Sequence, residues 1–387
     1  MKADDLLFIS LGGAAAGIAR RIAGHVRRDP SQPPMRLLVL DTDDAVLQTV
    51  TNPHIEGVSV TIFGTQRLDG KGTGGDHVFG MSAFRDDAQT LLQQIGSPRL
   101  AIVLTCCGGG TSGACEPLLR LLNERGIANI VFATEPLPFE GDDRKRCASV
   151  VVPTIMANAN AATVVPLATL LKDGPEGLTA AQSFEYAADR LSAGVSLLWT
   201  LLVHPGYLQF DVEHLRQLLE REGSLTLPFT FSDASAVGET RAEEVVTAIT
   251  ESSRFKLRGI NCLANARTAI VGVLAGEDLR LSELNVLMNG LRGLFHKQTE
   301  ILLGTVNHAS FNGKLEVVVF AFTQSGTEML SSEDALQPVG RKRSSRQARA
   351  KGLTAVKDRF DDVERTIIDG VNYDEPTYLR RNIRLKR

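Results

Sequence analysis

The amino-acid sequence predicts an α/β protein built on an open, mainly parallel sheet, with a long helix and an α+β region after it. Three observations predict this. Short apolar runs alternate with helical patterns through the first 135 residues. Glycine-rich turns sit at the ends of those runs, where ligands of open parallel sheets bind. A single 24-residue stretch, Ala180–Val203, keeps an apolar stripe at helical period.

The elements follow in order. Leu6–Ile9 reads as a buried strand that runs through Gly12-Gly13-Ala14-Ala15-Ala16-Gly17 into a helix over Ile18–Val26. Arg36–Leu40 reads as the second strand, ending at Asp41-Thr42-Asp43-Asp44, and a glycine-dense loop covers Gly70–Gly75. Leu100–Leu104 is a strand, Gly108–Thr111 a turn, Pro117–Arg125 a helix and Asn129–Ala133 a further strand. The long helix places Phe184, Ala187, Ala188, Leu191, Val195, Leu198 and Leu202 on one broad apolar face. It would span roughly 36 Å, stop at His204-Pro205-Gly206, and lie between two domains. Beyond it, strands are expected at Ala269–Val273, Glu300–Thr305 and Leu315–Ala321, with helices over Arg241–Thr250 and Leu281–Leu294. From residue 326 the apolar content falls; Ser344–Lys351 reads as disordered and Ala355–Asp369 as a short charged helix.

With 387 residues, 43% hydrophobic and 22% charged, the chain can bury a sizeable core. No apolar run reaches the length of a membrane span, and the N-terminus lacks the features of a signal peptide. Five cysteines without a CxxC pair suggest neither a zinc site nor a disulfide framework, so a cytoplasmic location is expected. The net charge of −3 is uneven: from Arg341 on, 14 Lys/Arg face 7 Asp/Glu. An acidic body with a basic tail results, and the tail reads as a solvated linker or as a contact for something acidic.

Glycine permits close backbone approach, and helix N-termini offer free N–H groups to phosphate oxygens, so several such turns in one sheet indicate a phosphate cradle. Two common cradles are excluded. Position 14 is Ala, which breaks GxGxxG, and Ile18-Ala19 stand where a P-loop needs Lys and Ser/Thr.

The pattern instead resembles the tubulin/FtsZ superfamily, specifically the bacterial FtsZ family, over nearly the whole chain. Asp41-Thr42-Asp43 resembles that family's NTDA turn, Gly70–Gly75 its GLGAGGNP loop, and Gly108–Thr111 with Pro117 its GGGTGTGAAP signature. Glu135–Arg144 looks like the sugar loop KPFxFEGxxR, Gly238–Glu244 resembles GxxRAEEA, and Tyr373–Arg381 looks like the C-terminal peptide DxPxFLRRQ that binds division partners. The resemblance implies a Rossmann-like GTP-binding domain over 1–178, a central helix over 179–205 and a polymerisation domain over 206–325. A linker over 326–371 and a partner-binding peptide over 372–387 would follow. It implies GTP/GDP and Mg2+ as ligands and Gly12, Gly13, Gly17, Asp43, Gly72, Gly74, Gly75, Gly108, Gly109, Gly110 and Thr111 as the cradle. Glu140 and Arg144 would then hold sugar and phosphate, and Phe184 and Asp189 the base.

The chemistry suits these residue types. A carboxylate such as Asp189 accepts from both N1–H and the exocyclic amine of guanine, a donor pair adenine lacks. Phe184 is suited to stacking or to plain core packing, and Glu140 with Arg144 to ligand contacts or to a surface ion pair.

The departures from the family matter as much. Three methyl groups, Ala14–Ala16, replace glycines in the first loop, and Asp41 adds a negative charge near the phosphates. In the family a segment NxDxxD enters the neighbouring subunit's nucleotide site. Here it reads Gln209-Phe210-Asp211-Val212-Glu213-His214, so Asp211 is kept while Gln209 and His214 replace an amide and a carboxylate. A neutral His is a possible base but not an anion for a hydrated cation, and His214 reads equally as an ordinary first-turn helix residue. Glu213 is one position off and should point elsewhere. The expected function is a GTP-binding protein forming head-to-tail filaments, in cell division or as a divergent paralogue regulating or co-assembling with FtsZ, with slow or absent hydrolysis. A fully active division GTPase and a nucleotide-independent scaffold are the alternatives. Self-association, membrane-tethering division proteins bound through Asp374–Arg381, and no nucleic acid are the expected partners.

Overall fold

A computed structural model describes residues 5–26, 35–46, 56–172, 174–204, 206–221, 227–257, 260–323, 367–368 and 371–372. In the N-terminal half, strands β1 (Leu6–Leu11), β2 (Leu37–Asp41), β3 (Val58–Ile62), β4 (Leu100–Cys106), β5 (Ala128–Glu135) and β6 (Ala161–Pro166) pair in parallel, in the order β6-β5-β4-β1-β2-β3. β1 is buried on both faces, as a near-continuous apolar run in a parallel sheet should be. Its alternation divides two cores. Leu6 and Phe8 pack with helix α1 (Gly13–Val26), while Leu7, Ile9 and Leu11 join the opposite core. That second core is closed by helices α3 (His77–Ile95), α4 (Cys115–Glu124) and α5 (Asp142–Asn158); a short α2 (Thr65–Leu68) precedes them.

Strand β7 (Leu227–Val237) joins the halves. Its first two residues pair with β6, and from Phe229 on it pairs with β12 (Lys314–Thr323). β12 is antiparallel to β10 (Ala266–Ala275), which is parallel to β11 (Glu300–Asn307), completing a ten-stranded sheet. A small ladder, β8 (Lys256–Leu257) with β9 (Ile260–Asn261), stands apart from it. Helices α9 (Arg241–Glu251) and α10 (Leu281–Arg292) cover one face of the second half.

Helix α7 (Ala180–Val203), preceded by the short α6 (Leu167–Leu171), starts at a capping box in which Thr179 accepts from Gln182 N–H. Its C-terminal half is almost wholly buried. Trp199 is fully enclosed and meets Phe8 edge-on at 5.5 Å, while Leu198, Leu201 and Leu202 fill the core shared with Phe229, Ile270 and Phe320. Each such side chain contributes about 1.5–3 kcal/mol on burial. Gly194 lets the helix approach β7: a Cβ there would lie 2.2 Å from the Phe231 ring. Helix α8 (Val212–Arg221) follows.

The predicted α/β class and central helix are found, but several expectations are corrected. The stretch Gly13–Gly17 is the first turn of α1 rather than a loop, because alanine is the best helix former and only Gly12, at φ 90°, needs a positive dihedral. Phe184 is 40% exposed, so it leaves the apolar face that the helical period assigned it to. β3 was not read from the sequence because this edge strand is only half buried and shows no clean alternation. At the C-terminal end, Ile367–Ile368 (β13) pairs antiparallel with Val371–Asn372 (β14), where the last residues of a charged helix were expected. The rest of that expected helix and the Asp374–Arg381 peptide lie outside the described residues.

Candidate functional site

An open cleft of about 1090 Å³ lies at the carboxyl ends of the parallel strands. Leu11 of β1, Cys106 of β4 and Thr134 of β5 form its base. Gly12 turns the chain from β1 into α1, so the N-terminus of α1 opens on the cleft, with Gly13 and Gly17 on the exposed side. Ala14 and Ala15 border the cleft, but Ala15 and Ala16 are buried, so of the three expected methyl groups only that of Ala14 is exposed there. The turn Gly108–Gly110 and Thr111 form the second wall. Residues Gly110–Ala114 make a 3-10 turn that leads directly into α4.

Behind this wall the two loops interlock. Thr111 donates to Asp41 Oδ1 at 3.2 Å, and the Thr42 hydroxyl donates to Thr111 at 3.1 Å. The Gly70–Gly75 loop docks on the β2 end by backbone bonds, Gly72 N–H to Thr42 O and Asp44 N–H to Gly70 O. Of that loop only Gly75 reaches the cleft; Gly72, Gly74 and Asp43 sit behind it, with Asp43 Oδ1 accepting from Ala45 N–H. Four cysteines pack around the turn. Burial pushes the Cys115 thiol up to about 12 and raises those of Cys106, Cys107 and Cys147, so they stay protonated and serve as packing.

The opposite side carries the polar side chains. Glu140 accepts from Leu137 N–H at 2.6 Å and pairs with Arg144 at 2.8 Å. An ionised carboxylate has about four acceptor positions, so this pairing leaves Glu140 capacity for a ligand hydroxyl. Arg144 is more than half exposed and faces the cleft. Phe184 of α7 lines the cleft with its ring accessible. Asp189 does not line it; it stands at its mouth in an ion pair with Arg21 at 2.5 Å, both groups partly exposed. Such a pair is worth about 0–1 kcal/mol and yields readily to a better partner. Arg21 was missed by the sequence reading. The signal existed, since Gly13, Gly17 and Arg21 recur every four residues and therefore share one face of α1.

Gln209, Asp211 and His214 are nowhere near this cleft. Gln209 and Asp211, with Phe210 and Glu213, border a smaller cavity against Asp5 and Arg99, which precede β1 and β4; His214 does not line it. The two places are thus separated by the length of β1, roughly 20 Å for its six residues. Asp211 caps α8: its Oδ1 accepts from Glu213 N–H at 2.9 Å and His214 N–H at 3.1 Å. Partial burial pushes the Asp211 carboxyl up, but the bonds from His214 outweigh it and hold it below its ordinary value. His214 Nδ1 stands 2.9 Å from the same oxygen, so His214 is a first-turn helix residue folded back on the cap. Glu213 borders the same cavity and pairs with Arg216 and Arg99, which hold its carboxyl down to about 2; the bonds from Arg216 and Gln217 are the main cause. Among the described residues no group of His, Cys, Asp and Glu is arranged to hold a metal by itself, and no helix is long and apolar enough to cross a membrane.

Comparison with known proteins returns one family throughout. Residues 10–173 match the model of the Tubulin/FtsZ family GTPase domain, and residues 232–324 match that of the FtsZ family C-terminal domain. The cell division protein FtsZ of Magnetospirillum gryphiswaldense is 26% identical over 337 residues, 85% of this chain and 55% of that protein. The FtsZ of Caulobacter vibrioides (strain NA1000 / CB15N) is 25% identical over 309 residues, 79% of this chain and 58% of that protein. The chain therefore spans little more than half the length of these relatives. An empty FtsZ dimer from M. jannaschii superposes with a TM-score of 0.72 at 18% identity, covering 83% of this chain and 88% of that one. A GTPγS-bound protofilament of CetZ2 from Haloferax volcanii gives 0.65 at 18% identity, covering 83% and 94%. At these identities the two structures establish the fold.

Proposed function

The chain belongs to the tubulin/FtsZ superfamily as an FtsZ-like member, and on that basis we propose that it binds GTP in the cleft, assembles head to tail and hydrolyses GTP slowly, as a paralogue accompanying FtsZ in cell division. The observation that supports assembly is the position of the cleft and of the Gln209–His214 segment at opposite ends of the same parallel strands. One chain cannot bring them together, whereas stacking the end of one chain on the next does, and a heterologous contact of this kind propagates into an open filament. The relatives fit this reading: one neighbour is a dimer and another a nucleotide-bound protofilament.

In this reading the backbone N–H groups at Gly12–Gly13 and Gly108–Thr111 hold the phosphates, and Arg144 neutralises their oxygens. Glu140 accepts from a ribose hydroxyl, Phe184 stacks on the base, and Asp189 exchanges Arg21 for the two donors of guanine. Magnesium arriving with the nucleotide supplies charge neutralisation at the phosphates. Asp211, Gln209 and His214 of the next chain meet the terminal phosphate, with one carboxylate where the family has two.

Two measurements test the parts separately. Asp189→Ala is expected to lose guanine preference by about 1.5–3 kcal/mol, since hydrogen bonds to a charged group are lost while the exposed Arg21 pair contributes little to stability. Competition between GTP and ATP for the cleft measures it; equal affinity for the two in the unaltered chain ends the guanine reading. Phosphate release at saturating GTP and magnesium should be slow and should rise with protein concentration as chains associate. His214→Asp should raise it on the order of tenfold, equivalent to about 1.4 kcal/mol of barrier. The helix tolerates the change because acidic residues suit its first turn. Fast turnover that is indifferent to His214→Ala would refute the assignment.

A further inference from the structure

A second pocket opens at the end of the sheet away from the cleft. It holds about 410 Å³ and is bordered by Gly96–Arg99 before β4, Arg125–Ile127 before β5, and Arg216 of α8. Arginines from three separate segments thus border one concavity, and among the described residues no carboxylate borders it.

Two of these arginines are held in place. Glu213 Oε1 accepts from Arg216 Nη2 at 2.8 Å, and its Oε2 accepts from Arg99 and, at 3.1 Å, from Arg216 Nε. One carboxylate bridges Arg99 and Arg216, so their guanidinium groups stand within reach of a common anion. Arg216 also pairs with Glu220. Arg125 is exposed and has no ion-pair partner among the described residues. An arginine just past a helix commonly offsets the last carbonyls. Here that need is met otherwise. The N–H groups of Arg125, Gly126 and Ile127 take the carbonyls of Leu121, Asn123 and Leu122 of α4, and Arg36 takes those of Gln94 and Ile95 of α3. The Arg125 guanidinium is left for another acceptor.

The arrangement favours a phosphate group over a carboxylate. A carboxylate presents two oxygens in one plane, and Glu213 shows that two arginines engage both. A phosphate carries its oxygens in a tetrahedral array, enough to accept from arginines on three sides. The volume is that of a small-molecule site, roughly 300–1,000 Å³. A soluble molecule fits better than a lipid headgroup, because none of the exposed large apolar side chains among the described residues borders the pocket, so none beside it would enter a bilayer.

We propose that the pocket between Arg99, Arg125 and Arg216 is a second anion site, which takes a soluble phosphorylated molecule through a phosphate group shared by the three arginines. It lies at the opposite end of the strands from the cleft and does not depend on the nucleotide reading. Arg99 also borders the cavity beside Gln209 and Asp211, so the occupant draws on the same cation that pairs with Glu213.

The probe is inorganic pyrophosphate, titrated calorimetrically into the full chain in magnesium-free buffer with GDP in excess to fill the cleft. Saturable binding is expected. Arg125→Ser should weaken it at least roughly tenfold, since hydrogen bonds to a charged group are lost. Arg120→Ser removes the same charge from α4 outside the pocket and should leave it unchanged. Arg125 leaves no carboxylate stranded, so thermal unfolding of Arg125→Ser should match that of the unaltered chain. Pyrophosphate held in the cleft is indifferent to Arg125, so the comparison stands whether or not GDP binds. Equal affinity of the two variants, or no saturable binding, would overturn the site. A glutamate-rich peptide that binds as tightly as pyrophosphate would overturn the choice of phosphate. Arg125-dependent binding to phosphatidic acid vesicles but not to pyrophosphate would overturn the choice of a soluble ligand.

Discussion

Replacing Arg254 with Met is expected to destabilise the fold by about 3–5 kcal/mol, the range for removing one partner of a buried ion pair. Arg254 donates to Asp233 Oδ1 at 2.6 Å, and both side chains are over nine-tenths buried. Arg190 of α7 reaches Asp233 Oδ2 at 3.4 Å, and the Arg254 guanidinium lies 5.8 Å from the Phe231 ring centre. Without Arg254, the Asp233 carboxylate keeps only the longer contact from Arg190 in a site closed to water. The cost is the desolvation of that stranded charge rather than the attraction lost, so Arg254→Met with Asp233→Leu should recover most of the stability. Urea unfolding of the single and double variants decides it; a single variant within about 1 kcal/mol of the unaltered chain would show that water reaches the site. The network matters for the cleft too, because Arg190 follows Asp189 and ties the base-facing turn of α7 to β7.

Gly113→Ala should be the most damaging single change in the cradle. A Cβ at Gly113 would lie 2.0 Å from the carbonyl oxygen of His77, and one at Gly80 would lie 2.2 Å from that of Gly110. Helix α3 and the 110–114 turn thus meet backbone to backbone, and neither atom can swing aside. The substitution must displace the turn, costing about 1–3 kcal/mol or more and moving Thr111 off Asp41. GTP affinity should fall at least roughly tenfold, since a displacement costing about 1.4 kcal/mol in the cradle already does that. Gly109→Ala is the matched control: its φ of −102° is ordinary and a Cβ there meets nothing within 4 Å. Equal stability of the two variants by thermal unfolding would show that the contact at His77 relaxes easily.

Much of this molecule was legible in the amino-acid sequence because the signals are local. β1, β2, β4 and β5 are apolar runs that any parallel sheet buries, and the long helix begins at a Thr179/Gln182 capping box and keeps its period to Val203. The glycines of the cradle mark places where backbone must come close, and Glu140, Arg144 and Phe184 do stand around one cleft. Tertiary structure alone decided the rest. Period assigned Phe184 to the core, but packing left it open beside the cleft. Spacing could not show that Asp189 is held by Arg21, a partner 168 residues away, or that one oxygen of Asp41 has no donor among the described residues. Motif order suggested that Asp211 and His214 serve the phosphates, yet only the strand directions put them at the far end of the sheet. The physical reason is the same in each case. A residue's chemistry is carried by its own atoms, but its partner, its dielectric and its distance from a ligand are set by chain segments that only folding brings together.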